Sequence, residues 1–334
     1  MSMNHTTLIA AKIAGCLLLV SCAEVPKIAA SGQTVAAHVA HATALAGEDL
    51  KALMRLCAPP PPRMSEQEGD RFIAGQIART PPAQAAAFDN LYFVGGAWSS
   101  AWALKTSEGI ILIDALNNPP EAAALIETGL RKLGLDPAQI RYVVVSHGHG
   151  DHYGGAQYLA EKYKSRVVMS EADWKMVATS LEFTSRQWPT PPARDIAVKP
   201  GESLTLGDTT IVFQGTPGHT WGTLSPVFPV RSGGKTHRAM LWGGTSFNFG
   251  NDLPRVDAYI ASAKRMAVVA KSEGIDVMLS NHASFDGTIE KFAAMRASPT
   301  SGNPFVIGHD AVLRTLGVME TCARAQRDRF AMAP

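Results

Sequence analysis

From residue 91 onward the chain alternates short apolar runs with turn residues. The runs are rich in β-branched and aromatic side chains, which marks them as strands. Strands are predicted at 91–94, 101–105 and 110–114, followed by a helical stretch at about 120–133. An apolar strand at 140–146 then breaks into a Gly-rich loop. Beyond it come a helix at 154–163, a strand at 166–169 and a helix at about 171–181. Residues 185–200 contain several prolines and read as a long surface loop. A second set of strands is expected at 203–206, 209–214, 224–230 and 239–242, then a helix at about 256–273 and a strand at 275–280. The tail from Thr288 reads as two helices around a loop at 298–303. Strands followed by helices, twice over, predict a layered α/β domain. Ahead of residue 91 the pattern differs: residues 23 to about 88 are Ala-rich with few β-branched runs. One helix is predicted over 48–57, ended by Pro59–Pro62, which favours a stiff extended segment.

Composition adds boundaries to this picture. With 334 residues, 46% of them hydrophobic and 18% charged, the chain suits one large globular domain or two small ones. A net charge of +2 offers no basic field for nucleic acid and no acidic excess for disorder. At the N-terminus, Lys12 precedes an apolar run over residues 13–20, then Ser21 and Cys22. That order describes a secretory signal, too short to span a bilayer as a mature helix. Leu19-Val20-Ser21-Cys22 also resembles a bacterial lipobox, in which Cys22 is lipidated and anchors the protein to a membrane; plain cleavage after Ala23 is the alternative. Both place the protein in the periplasm or outside the cell. Cys57 and Cys322 remain after processing, either as a disulfide suited to an oxidising compartment or as two buried thiols.

The chemistry concentrates in His147-Gly148-His149-Gly150-Asp151-His152, directly after the strand at 140–146. Imidazoles and a carboxylate are good zinc ligands. Residues at i and i+2 can meet one ion, and the adjacent Asp151-His152 pair can turn to a second. Gly148 and Gly150 permit the tight backbone such crowding needs. Thr216-Pro217-Gly218-His219-Thr220 and Asn281-His282 each put a further histidine at the exit of a predicted strand. Strand ends on one edge of a sandwich converge, and sites form there. Trp98, Trp102 and Trp221 lie in these motif-bearing segments and are candidates for pocket walls or core. His38 and His41, three apart, read as a solvated helix face; His237 reads as hairpin surface, and His309 has no motif around it. There is no G-x-S-x-G nucleophile elbow.

At these residues the sequence resembles the metallo-β-lactamase superfamily. The likeness covers about residues 89–300: the HxHxDH loop, the PGHT turn, the late strand-His, Leu91-Tyr92-Phe93-Val94-Gly95 and the run TSEGIILID from Thr106 to Asp114. It implies a four-layer αββα sandwich with the site along one edge of the two sheets. It divides the chain into a signal at 1–21, an extension and Pro-rich linker at 22–88, and a catalytic domain with a helical tail at 89–334. Within the superfamily, the chain is most similar to the histidine-rich third subclass of zinc β-lactamases, whose tail Asn303-Pro304-Phe305-Val306 also resembles. That pattern implies two Zn2+ per chain. His147, His149 and His219 match the ligands of the first, and Asp151, His152 and His282 those of the second. It implies attack of a zinc-bound hydroxide on a β-lactam carbonyl, with Asp151 orienting the nucleophile. Thr245 and Ser246 loosely match serines that hold the substrate carboxylate, and Trp98 is a candidate wall.

No cysteine ligand lies near the site, which argues against the subclasses that use one. Other departures matter. Lactonases and glyoxalase II-type thioesterases carry a metal-bridging aspartate after the strand at 239–242, where this chain reads Gly243-Gly244-Thr245-Ser246. Members with a disulfide in the C-terminal region have a partner near 273–276 that is absent here, so the resemblance leaves Cys57 as a substitute partner for Cys322. The missing aspartate lowers both the lactonase and the thioesterase readings; hydrolysis of a lactone, thioester or other ester stays the alternative activity, and a metal-binding lipoprotein without turnover a third. The partner expected is a small-molecule substrate; no protein partner is implied.

Overall fold

The computed structural model describes residues 34–60 and 64–332. The expected leader at 1–21 and Cys22 lie outside the described residues, as does part of the Pro59–Pro62 stretch.

Two sheets face each other. The first contains β1 (Ala85–Ala86), β2 (Leu91–Phe93), β3 (Trp102–Thr106), β4 (Gly109–Ile113), β5 (Ile140–Val144), β6 (Arg166–Ser170) and β7 (Ile196–Val198), in sequence order. Strands β1 to β4 pair antiparallel, and β4 to β7 pair parallel. The second contains β8 (Ser203–Leu206), β9 (Thr209–Gly215), β10 (Leu224–Ser232), β11 (Lys235–Trp242) and β12 (Val277–Ser280), again in sequence order. Only the β11–β12 pair is parallel.

The alternation of side chains along each strand builds three apolar layers. Phe93, Trp102, Ile111, Ile113 and Val144 meet Phe213, Phe228, Leu241 and Leu279 between the sheets. The neighbouring positions Ile110, Leu112, Val143 and Val145 point the other way, onto the helices at Ala156–Tyr163 and Glu171–Thr179. That is why residues 110–113 of β4 and residues 143–145 at the end of β5 read as unbroken apolar runs: both faces are covered there. On the far side, Val227, Met240 and Met278 pack on helices Leu253–Glu273 and His309–Met332. The result is the four-layer αββα metallo-β-lactamase fold.

Several expectations shift. The helix expected at 120–133 is a run of short helical pieces with a π segment at Ala122–Glu127. Within the loop expected at 185–200, Ile196–Val198 forms edge strand β7 on β6. The helix expected at 48–57 is a 3-10 turn, Lys51–Cys57. Residues expected as an extension form helix Val35–Ala46, capped by Thr34, which packs on His309–Met332. Cys57 is disulfide-bonded to Cys322. A second helix, Glu66–Ile77, starts at a capping box in which Ser65 and Glu68 satisfy each other's backbone. Strand β1 lies ahead of the boundary drawn at residue 89.

Candidate metal centre

The chain leaves β5 into the buried stretch 145–149 and turns at once into the short helix Gly150–Tyr153. His147, His149, Asp151 and His152 are all buried there. The glycines serve close packing. Neither Gly148 nor Gly150 has positive φ. A Cβ on Gly150 would lie 2.2 Å from the Trp188 indole, and one on Gly148 2.5 Å from Met176. From the second sheet, the turn after β9 delivers His219. Gly218, at φ 144, lies where a Cβ would meet Tyr259 at 2.6 Å. His282 follows β12 directly.

The six side chains form two groups that meet at His147 and His152, whose ring centroids are 4.2 Å apart. In one, His147 Nε2 is 3.0 Å from His149 Nδ1 and 3.1 Å from His219 Nε2. In the other, Asp151 Oδ2 is 3.1 Å from His152 Nε2 and 3.5 Å from His282 Nε2.

The far nitrogens settle where the protons sit. His147 Nδ1 donates to the Gly243 carbonyl at 2.6 Å, His219 Nδ1 to the Ser246 carbonyl at 2.8 Å, and His282 Nδ1 to the Trp98 carbonyl at 3.1 Å. A carbonyl oxygen only accepts, so each of these rings carries its proton on Nδ1 and presents an Nε2 lone pair inward. His152 Nδ1 donates to Asp114 Oδ2 at 2.8 Å, and His149 Nε2 to Glu182 Oε2 at 3.1 Å. Lone pairs of His147, His149 and His219 therefore face one another at about 3 Å with no proton between them, an arrangement that only a cation relieves. His152 Nε2 is buried without a hydrogen-bond partner, beside Asp151 but misaligned with it. The donor set thus fits divalent metal, and soft imidazole with one carboxylate favours zinc.

Electrostatics agree. Burial, reinforced by the neighbouring imidazoles, pushes His147 and His219 well below the ordinary imidazole value, and burial pushes His282 down to about 4. These rings stay neutral and available as ligands. For Asp151, burial works upward, but His152 and His282 outweigh it and hold the carboxyl below its usual range. Burial would lower His152, yet the Asp151 and Asp114 carboxylates prevail and push it up to about 10, so without metal this ring holds a second proton that a bound ion would displace.

Around the ligands lie residues that the motifs alone do not reveal. Asp114, at the end of the TSEGIILID run, adopts φ 63 and accepts from Ser146 N, Ser146 Oγ and His152 Nδ1. Ser99 Oγ donates to Asp151 Oδ2 at 3.2 Å. Asp173 accepts from Gly148 N, Gly222 N and Thr220 Oγ1, tying the two ligand loops together. Trp98 does sit at the site, with its ring 5.4 Å from that of His282. Trp102 is fully buried in the inter-sheet core, and Trp221 is exposed. Thr245 departs from its expected role: it is buried and its hydroxyl lies 3.3 Å from Ser280 Oγ. Ser246 is partly exposed, and its backbone carbonyl orients His219.

The fold is that of the metallo-β-lactamases, and the site it carries is a donor set that fits divalent metal. A family model described as the metallo-beta-lactamase superfamily matches residues 95–232, which include His147 to His219 but not His282. A subclass B3 metallo-beta-lactamase of Bradyrhizobium japonicum is 27% identical, with a TM-score of 0.60 over 71% of this chain and 90% of that one. A metallo-beta-lactamase of Cronobacter sakazakii shares the fold at 23% identity and TM-score 0.67, over 83% of this chain and all of that one. By sequence, a hydroxyacylglutathione hydrolase of Acidiphilium cryptum is 32% identical over 114 residues, 34% of this chain and 40% of that protein. The chain thus spans about two fifths of the length of the curated relatives it matches. The resemblance to the superfamily therefore holds in sequence and in fold alike, and the structural neighbours include subclass B3 enzymes.

Proposed function

We propose that this protein is an exported two-zinc β-lactamase. The observation that carries the reading is the ligand set. The ligand atoms of His147, His149 and His219 converge, as do those of His147, Asp151 and His152, with His282 Nε2 3.5 Å from Asp151 Oδ2, and no carboxylate stands at 243–246. The stretch where related thioesterases place a bridging aspartate reads Gly243-Gly244-Thr245-Ser246 here, and the Gly243 carbonyl orients His147. The 27% identity to the Bradyrhizobium enzyme over 90% of its length supports the same assignment.

Bound in these groups, two divalent ions would lower the pKa of a water and polarise a substrate carbonyl. The protein's own contribution is positional. Asp151, held ionised, orients the attacking water, and the Ser99 hydroxyl fixes that carboxylate. Trp98 beside His282, and Phe183 with its ring 4.9 Å from that of His149, flank the two groups and keep solvent from them. Export is supported by the N-terminal leader pattern and by the Cys57–Cys322 disulfide, which suits an oxidising compartment. On the lipobox reading, Cys22 anchors the mature chain to a membrane.

A thioester substrate is the second reading, favoured by the likeness to hydroxyacylglutathione hydrolases. Purified mature protein should hydrolyse nitrocefin, lose that activity in EDTA and recover it with zinc, and His149→Ala should abolish it. Turnover of lactoylglutathione instead, with zinc bound and nitrocefin untouched, would replace the β-lactam assignment with the thioester one.

A further inference from the structure

Four of the five ligand histidines are oriented by backbone carbonyls or by the buried Asp114. His147, His219 and His282 are held by backbone carbonyls, and His152 by Asp114. His149 is the exception. Its Nε2 donates to Glu182, a side chain 19% exposed on the bend after helix Glu171–Thr179. The same oxygen, Oε2, accepts from Arg255 NH2 at 3.1 Å. Arg255 is buried in the first turn of helix Leu253–Glu273, where Asp252 caps it. Its Nε donates to the Gly218 carbonyl at 2.9 Å, its NH2 contacts the His219 carbonyl, and its guanidinium lies on the Phe249 ring at 4.4 Å. One carboxylate oxygen therefore joins the ligand loop of the first sheet to the ligand turn of the second.

We propose that Glu182 is a positioning residue for the first metal. It holds the His149 proton on Nε2 so that Nδ1 keeps a free lone pair for the metal, and through Arg255 it keeps His149 in register with His219. This rests on the metal-hydrolase reading above. A carboxylate behind a ligating imidazole raises its basicity and fixes its angle, and loss of such a partner costs about 10–100-fold in metal affinity. A neutral amide oxygen accepts the same hydrogen bond at roughly half the strength.

The test is zinc affinity by competition with a chromophoric chelator on the full mature chain, alongside the thermal midpoint of the metal-free form. For one of two binding steps, Glu182→Gln should weaken affinity about 3–10-fold and Glu182→Ala about 10–100-fold, with the other step near wild type. That graded order supports the proposal. If the Ala variant fails to fold, the Gln variant decides alone. A Gln variant with wild-type affinity, or variants that lower the metal-free midpoint and leave both zinc steps unchanged, would overturn it. A wild-type chain that binds no zinc would overturn the hydrolase reading itself, so the two failures are distinct.

Discussion

Replacing Asp114 by Asn isolates one hydrogen-bonding function in this centre. The backbone at Asp114 has φ 63, a conformation that Asn tolerates almost as well as Asp, so the substitution adds little strain. The carboxylate accepts from Ser146 N at 2.7 Å, Ser146 Oγ at 2.8 Å and His152 Nδ1 at 2.8 Å. An amide keeps the shape but supplies only one accepting oxygen. If that oxygen stays on Ser146 N, the amide nitrogen confronts His152 Nδ1–H, a donor against a donor. His152 must then move its proton to Nε2, the atom that faces Asp151 and the second metal position. The charge-assisted bond lost is worth about 1.5–3 kcal/mol, equivalent to roughly 10–100-fold in an equilibrium constant. Zinc titration of the purified variant should show one binding step weakened by that factor, with nitrocefin turnover falling in parallel at limiting zinc. Both steps at wild-type affinity, in a variant with a wild-type far-UV spectrum, would refute the argument that Asp114 sets the His152 tautomer.

Other consequences are open to measurement. In metal-free protein, His282 at about 4 and the lowered His147 and His219 bind protons more readily unfolded than folded. Stability should therefore fall as pH drops from about 6.5 towards 4, by ~3 kcal/mol from His282 alone; equal urea midpoints at pH 7 and pH 4.5 would contradict this. Reducing Cys57–Cys322, which are separated by 265 residues, should cost about 2–5 kcal/mol and lower the thermal midpoint; melts with and without a phosphine reductant check it. Gly150→Ala should drive its new methyl into Trp188, destabilising the fold by about 1–3 kcal/mol and lowering kcat/KM. Trp188→Ala in the same chain should recover part of that stability, and strictly additive losses would refute the contact.

Much of this was legible in the residues because the signals were local. Six residues between His147 and His152, following an apolar strand, announce a metal loop, and the structure brings His219 and His282 to them. The apolar runs at 110–113 and 143–145 were readable because they are short and unbroken, buried on both faces. What escaped was set by distant returns of the chain. Glu182, Arg255 and Ser99 acquire meaning only when their loops fold over the ligands, and nothing around them in sequence says so. The role of Gly150 depends on Trp188, from a loop whose path no periodicity predicts. Helix Val35–Ala46 was hidden by alanine, whose even spread leaves no apolar stripe to count, whereas helix Glu66–Ile77 carried a readable Ser65-x-x-Glu68 signature. Strand β7 is three residues long and lies among prolines, where its pairing with β6 outweighs local composition.

Each sheet is drawn from one continuous half of the chain, residues 85–198 and then 203–280. Four of the six ligands come from the first half, and His219 and His282 come from the second. A metal held here would be bonded to both halves at once, a rivet added to their shared apolar faces, to the Asp173 and Glu182–Arg255 hydrogen bonds and to the Cys57–Cys322 disulfide. Once Cys57–Cys322 is reduced, cleavage in the short connection between β7 and β8 would turn the molecule into two fragments whose reassembly is sensed by the metal. Chelation would then loosen the pair, and returning zinc would re-form it.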